Sequence, residues 1–153
     1  MKWRIEFQER KLDALFKLFQ SVQDDELKAY LAKFLCIRAS GFIESSFKNL
    51  IMEYIQGTAP KPLQKFVSQK LKNVTNLNYD RLSSVLRSFN ADWANEFEVA
   101  ISDEQRSALN SVISNRNNIA HGENDNISYE LMKGYYKSIK EVVESLKNII
   151  RKN

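Results

Sequence analysis

The clearest helical pattern in the chain is SYELMKGYYKSIKEVVESLKNII, residues 128–150. Six apolar side chains in it are separated by alternating steps of three and four residues: Met132, Tyr135, Ile139, Val142, Leu146 and Ile149. This spacing places them on one face of a helix, because an α-helix turns once every 3.6 residues. Ser128 precedes the pattern and can cap its first turn, since a hydroxyl accepts hydrogen bonds from free backbone N–H groups. The pattern predicts a long helix that packs its apolar face against other helices.

The rest of the chain extends this helical prediction. Similar spacings predict helices over residues 3–21, 25–56, 63–71, 79–89 and 92–99, and a capping-box pattern at Ser102–Gln105 starts another that reaches Ala120. Only four Gly and two Pro occur among 153 residues, which favours long helices over many short strands. We therefore predict one all-α domain covering residues 1–153. Its expected architecture is an antiparallel four-helix bundle with short helices inserted in the middle.

Apolar rows on the first two helices are expected to face the core of this bundle. The first row comprises Leu12, Leu15, Phe19 and Val22, and the second comprises Cys36, Ile43, Phe47, Leu50 and Tyr54. The phenylalanines at positions 16, 19, 34 and 47 are predicted to be core residues rather than a platform on which bases stack. Pro60 and Pro62 are expected to separate the second helix, which ends at Gly57, from the third.

The net charge is mildly positive, at +4 with a sequence pI near 9.1. This bias favours a polyanionic partner, although many proteins with no role in nucleic-acid binding share it. Lys133, Lys137 and Lys140 would lie on one face of the last helix. That face is either simply solvated or turned towards RNA.

Membrane association and disulfide bonding are not expected. No apolar run approaches the roughly 20 residues that span a bilayer, and the N-terminal residues Met1–Glu6 contain no signal-peptide core. The single cysteine, Cys36, has no second cysteine with which to form an internal disulfide. Together these features favour a reducing, cytoplasmic setting.

The residue types restrict the chemistry that is possible. One His and one Cys do not make a zinc site of the usual composition, and the acidic residues show no pattern that would hold magnesium, so neither a metal nor another cofactor is predicted. Cys36 could pair with a histidine as a nucleophile, but its place in an apolar row favours an inert core residue. The candidates that remain are Arg116 and the only histidine, His121.

Arg116 and His121 lie near the predicted end of a helix. Position 116 continues the apolar face of Leu109, Val112 and Ile113, where a cation is costly unless an anion meets it. If the helix continues unbroken, the His121 side chain points about 140° away from Arg116, and Gly122 allows the chain to bend. Catalysis is one interpretation of this pair. The other is a histidine that merely caps the helix, favoured there by the helix dipole.

Three segments resemble the HEPN superfamily. RNNIAHG (116–122) resembles its Arg-x4–6-His motif, while IRASGFIE (37–44) and SFNADW (88–93) are similar to its RiboL-PSP branch. The resemblance implies a helical domain that pairs with a second copy. Many HEPN proteins are metal-independent ribonucleases, often toxins of toxin–antitoxin or antiphage systems, whose two motifs meet at the dimer interface. Arg116 and His121 would then be catalytic and Asn117 would support them.

General acid–base chemistry is compatible with this expectation. RNA is cleaved without a metal when its 2′-hydroxyl attacks the adjacent phosphate, a base takes the hydroxyl proton and an acid protonates the leaving oxygen. Arg116 would bind the phosphate oxygens. One chain supplies one imidazole, and a homodimer would supply a second. Arg38 and Glu44 are secondary candidates for substrate binding, although an ion pair or surface solvation explains them equally well.

The expected partners are therefore RNA, a second copy of the chain and an antitoxin protein. Some HEPN proteins lack activity, so the alternative function is a non-catalytic module that binds RNA, nucleotide or a partner protein. A third possibility is a helical interaction domain with no role in nucleic-acid binding.

Overall fold

The computed structural model describes residues 3–152, which form seven α-helices. Their bounds are α1 Arg4–Gln20, α2 Asp25–Thr58, α3 Lys61–Leu71, α4 Tyr79–Phe89, α5 Ala91–Ala100, α6 Asp103–Ala120 and α7 Tyr129–Arg151. Side-chain caps start several of them, including Asp24 at α2 and the predicted ones at Ser102 and Ser128. Met1, Lys2 and Asn153, which the predicted domain includes, lie outside the described residues.

Helices α1, α2, α6 and α7 form the predicted antiparallel bundle. The Tyr129 hydroxyl at the start of α7 donates to the Phe16 carbonyl near the end of α1, at 2.6 Å. At the other end of α7, Arg151 binds Glu6 near the start of α1 and Glu53 near the end of α2. Helix α7 is thus antiparallel to α1 and parallel to α2. The all-α class and the bundle are confirmed.

The three short helices occupy the chain between α2 and α6, as predicted. Helix α3 packs on α2, while α4 and α5 pack on each other and α5 also contacts α7. Two predicted boundaries were wrong by two residues: α2 continues through Gly57 to Thr58, and α3 begins at Lys61 rather than Leu63. Both ends of α1 and of α5 differ from the predicted ranges by one residue. Pro62 lies in the first turn of α3, where its missing N–H costs no hydrogen bond.

One hydrophobic core contains side chains from all seven helices. Phe16 and Phe47 are buried in it, and Phe16 stacks on Tyr136 with 4.5 Å between ring centroids. The prediction that Phe34 is a core residue was wrong, because its side chain is 41% exposed. It is two positions before the buried Cys36, a rotation of about 200° that turns it to the opposite side of α2. Several other residues of the predicted rows are only half-buried: Leu15, Phe19, Val22, Tyr54 and Tyr135.

Candidate functional site

The Arg-x4-His segment lies at the C-terminal end of α6, where the helix stops at a glycine. The Gly122 N–H donates to the Ile119 carbonyl at 3.2 Å, and the Glu123 N–H donates to the Asn118 carbonyl at 2.8 Å. Gly122 has a φ of 68°, a left-handed conformation that favours glycine. These features form a Schellman motif, which ends a helix and turns the chain away from its axis. The chain therefore reverses just after His121, as the sequence predicts.

His121 is the C-cap of α6, and its backbone N–H still makes a helical hydrogen bond. Its backbone N–H donates to the Asn117 carbonyl at 3.1 Å, and its side chain is exposed. No hydrogen bond or ion pair among residues 3–152 involves the imidazole ring. The ring is thus available to a ligand, and positions 116 and 121 are about 140° apart on a regular helix.

The Arg116 side chain lies half-buried on α6. Its Nη1 donates to the Asn117 amide oxygen at 3.4 Å. Within the part of the chain that the structure describes, no carboxylate pairs with its guanidinium. A partly buried cation without an anionic partner loses hydration that no ion pair replaces. The arrangement therefore leaves a positive charge that an incoming phosphate could neutralise.

The loop between α6 and α7 is held by polar contacts that the sequence analysis missed. Asp125 pairs with Lys33 of α2 at 3.5 Å, and its other carboxylate oxygen accepts the Ile127 N–H at 3.2 Å. The Asn126 N–H donates to the Asn115 side chain of α6 at 3.1 Å. Asp125 could have indicated this loop structure from the sequence, because an aspartate side chain often accepts a hydrogen bond from the backbone N–H two residues later. These contacts fix the loop that immediately follows His121.

Cys36 is an inert core residue, which confirms the interpretation favoured from sequence. Its thiol is fully buried and donates to the Val112 carbonyl at 3.4 Å. Burial raises the pKa of the thiol to about 12, helped by the charge of Asp125 and opposed by that of Arg116. A thiol with this pKa forms almost no thiolate at neutral pH, so it is a poor nucleophile.

Arg38 and Glu44 lie on α2 without contacting each other. The Arg38 guanidinium is exposed and lies 5.6 Å from the centroid of the Phe34 ring. Glu44 is half-buried and lies 3.9 Å from the ammonium of Lys48, one turn along the helix. Neither forms a hydrogen bond or ion pair with Arg116, Asn117 or His121 in the described residues. Their role in substrate binding stays a prediction.

A polar groove of about 700 Å³ runs along the outside of α6 and ends beside the motif. Hydroxyl and amide side chains dominate its lining: Ser107, Asn110, Ser111, Ser114, Asn115, Asn118 and Asn126. The Ser and Asn residues that recur along residues 107–118 could have predicted this groove, because they give α6 a face of short hydrogen-bonding side chains. This face can bind polar groups next to His121.

The described residues were compared with what a metal site and a membrane-crossing helix require. Within residues 3–152, no group of three or more His, Cys, Asp or Glu side chains is close enough together to hold a metal ion. None of the helices in the same range combines the length and the apolar character that crossing a membrane requires.

Comparison with protein families gives one match that covers nearly the whole chain. A family model described as RiboL-PSP-HEPN matches residues 4–152, from the start of α1 to the end of α7. Comparison with curated proteins and with solved structures returned no match.

Proposed function

Because the chain belongs to the RiboL-PSP-HEPN family, whose domain type favours a function connected with nucleotides or RNA, we propose that it is a metal-independent endoribonuclease. A homodimer would carry out the reaction, as the effector of a toxin–antitoxin or antiphage system. The observation that carries this proposal is the half-buried Arg116, which has no carboxylate partner in residues 3–152, five positions before the exposed His121. Such a system acts on cellular RNA, so the proposal implies a cytoplasmic protein and an antitoxin partner.

The proposed reaction uses the RNA's own 2′-hydroxyl as nucleophile. His121 of one copy takes the hydroxyl proton as the 2′-oxygen bonds to phosphorus. The bond from phosphorus to the 5′-oxygen breaks, and the leaving oxygen takes a proton from His121 of the other copy. The products are a 2′,3′-cyclic phosphate and a 5′-hydroxyl. Arg116 neutralises the charge that builds on the phosphate oxygens, and Asn117 orients Arg116 through their hydrogen bond.

The two copies are proposed to meet through an apolar stripe on α2. Its members are exposed and recur at steps of three and four residues: Leu27, Tyr30, Phe34 and Ile37. Lys33 connects this α2 stripe to the motif loop, since its ammonium lies 5.6 Å from the Tyr30 ring centroid and 3.5 Å from Asp125. In a twofold dimer each copy presents the same patch, so a contact centred here brings the two motif loops towards each other.

An RNA cleavage assay with EDTA present tests this proposal. We expect cutting that EDTA does not stop, 2′,3′-cyclic phosphate ends, and a loss of about 10²–10⁴-fold in rate for His121→Ala. Arg116→Ala should lose activity similarly, whereas Arg81→Ala, which removes an exposed arginine near the start of α4, should cut normally. If His121→Ala cuts RNA as fast as the wild type, the proposal is contradicted. Growth arrest on expression, relieved by either motif substitution, tests the toxin role.

A second candidate is a non-catalytic module that binds RNA, nucleotide or a partner protein. The feature that favours it is the spacing of Arg116 and His121, five positions apart. On a regular helix this spacing places the two positions about 140° apart, so one chain alone is not expected to aim both side chains at one phosphate. Binding of RNA without any cutting, in a preparation shown to be dimeric, would support this candidate over the ribonuclease.

A further inference from the structure

A groove of about 610 Å³ lies between the antiparallel helices α1 and α7, apart from the motif at the end of α6. We call it the α1–α7 groove. Lysines line both walls: Lys17 on α1, and Lys133, Lys137 and Lys140 on α7. The three lysines of α7 span about 10 Å of helix axis, since each residue rises 1.5 Å. Their charges therefore cover a length greater than one phosphate group.

Most of the positive charge in the α1–α7 groove is not neutralised by the protein. Lys140 pairs with Asp13 at 3.2 Å, and the Tyr136 hydroxyl also donates to Asp13, at 2.6 Å. Lys17, Lys133 and Lys137 form no ion pair within residues 3–152, and all three are exposed. The other carboxylate of the lining, Glu130, lies at one end of the groove because it is in the first turn of α7.

The floor of the α1–α7 groove is apolar and closed. Phe16 and Tyr136 stack on each other there and are 7% and 4% exposed, so neither offers a free face to a base. Gly134, in the second turn of α7, lines the groove between Lys133 and Lys137, and a Cβ added to it would meet no neighbouring group within 4 Å. The groove thus offers ammonium groups and open space but no stacking surface, which suits a phosphate backbone better than bases.

We propose that the α1–α7 groove binds the phosphate backbone of single-stranded RNA, without reading its sequence. This proposal rests on the proposed ribonuclease function and adds where the substrate strand is held. The groove begins at Tyr129, eight residues after His121, so a strand that leaves the motif can follow the same end of the bundle into it. It also assigns a role to the lysine face of α7.

The experiment measures the binding of a short fluorescent RNA by anisotropy over a range of salt concentrations. The RNA is 2′-O-methylated, because it then has no 2′-hydroxyl to attack the phosphate and stays intact. The test variant is Lys17→Gln/Lys133→Gln/Lys137→Gln, and the matched control is Lys61→Gln/Lys65→Gln/Lys72→Gln, which removes three exposed lysines in and just after α3. We expect the test variant to bind about tenfold more weakly and its salt slope to be smaller by about 2, with the control unchanged.

A second variant separates the shape of the groove from its charge. Gly134→Leu fills the α1–α7 groove without changing a charge, and should also weaken binding while α7 stays folded by circular dichroism. Equal weakening by the test and control triples, or unchanged binding by both the test triple and Gly134→Leu, overturns the proposal. If the wild type cuts RNA and the test triple has the same KM as the wild type, the groove proposal is wrong but the ribonuclease proposal stands. A wild type that neither binds nor cuts RNA overturns the ribonuclease function as well.

Discussion

Lys33 of α2 and Asp125 of the loop after α6 form an ion pair, with Nζ and Oδ2 separated by 3.5 Å. The Asp125 side chain is only 9% exposed, whereas that of Lys33 is 40% exposed. The same carboxylate accepts the Ile127 N–H, so one aspartate connects α2 to the loop and also shapes the loop itself. The segment that follows His121 is therefore held by tertiary contacts as well as by the helix end.

The first prediction concerns this ion pair. Lys33→Met leaves a nearly buried carboxylate without its cation, so it should cost more stability than Asp125→Asn, which keeps an oxygen for the Ile127 N–H. A double-mutant cycle on urea unfolding should give a coupling of up to about 1 kcal/mol, because one partner is well solvated. Hydrogen exchange of residues 122–128 should increase in both single variants. Unchanged exchange there would show that the pair does not hold the loop.

The second prediction concerns the stability that the protein loses by holding the motif residue Arg116 partly buried. Arg116 is half-buried and has no carboxylate partner in residues 3–152, so Arg116→Met should raise the free energy of unfolding by about 1 kcal/mol. The matched control is Arg151→Met, which should destabilise the protein because Arg151 pairs with both Glu6 and Glu53. Thermal unfolding checks both. A loss of stability in Arg116→Met equal to that in Arg151→Met would mean that Arg116 has a structural role.

Local periodicity was enough to predict most of the fold. Helix α4 has the predicted bounds, Tyr79–Phe89, and the capping residues Ser102 and Ser128 act as expected. These features depend on residues within one or two turns of each other, which a sequence displays directly. Phe34 was misassigned because a phenylalanine in a helix is usually buried, and nothing local distinguishes a core face from an exposed apolar stripe.

The site was only partly readable from sequence. The spacing of Arg116 and His121 and the turn at Gly122 are local, and the structure places all three at the end of α6. The lysine that pairs with Asp125, and the lack of a carboxylate partner for Arg116 within residues 3–152, depend on how α2 and α6 pack, and side chains far apart in sequence decide this. The groove between α1 and α7 was unreadable for the same reason, although its three α7 lysines were visible.

The third prediction compares two glycines. Gly134→Ala should stabilise the protein by about 0.5–1 kcal/mol, because Gly134 is inside a helix and an added methyl group meets open space. Gly122→Ala should destabilise it by about 1 kcal/mol, since its φ of 68° is strained for any residue with a Cβ. Unfolding by urea measures both. Effects of the same sign would contradict the role given to Gly122 in ending α6.

The fourth prediction concerns acid stability. Burial acts to raise the pKa of Glu6, but hydrogen bonds from Arg151 and Lys147 outweigh it and hold the pKa at about 2, below the ordinary 4.5. A carboxyl whose pKa is lower in the folded state stabilises the fold above its unfolded pKa, and this contribution is lost as the pH falls from 4.5 towards about 2.

Urea unfolding of wild type and Glu6→Gln between these two pH values checks this sign. The wild type should lose more stability over the interval than Glu6→Gln, since the variant has no carboxyl to protonate at position 6. Glu123→Gln, which removes an exposed carboxyl from the motif loop, is the control and should follow the wild type. Parallel curves for wild type and Glu6→Gln would contradict the contribution of Glu6.

The fifth prediction concerns the α2 stripe. Ile37 is 44% exposed at the C-terminal end of the stripe, so Ile37→Asp places a charge where the second copy would pack and should shift the protein from dimer to monomer. The matched control is Phe66→Asp on α3, which changes a residue that is 58% exposed and lies outside the stripe. Light scattering after size exclusion measures the mass of each. Because the proposed site needs two copies, Ile37→Asp should also stop RNA cleavage. The variant monomer should stay folded, with a high free energy of unfolding when this is measured at low protein concentration. A monomeric wild type, or a dimer that survives Ile37→Asp but not Phe66→Asp, would place any interface elsewhere.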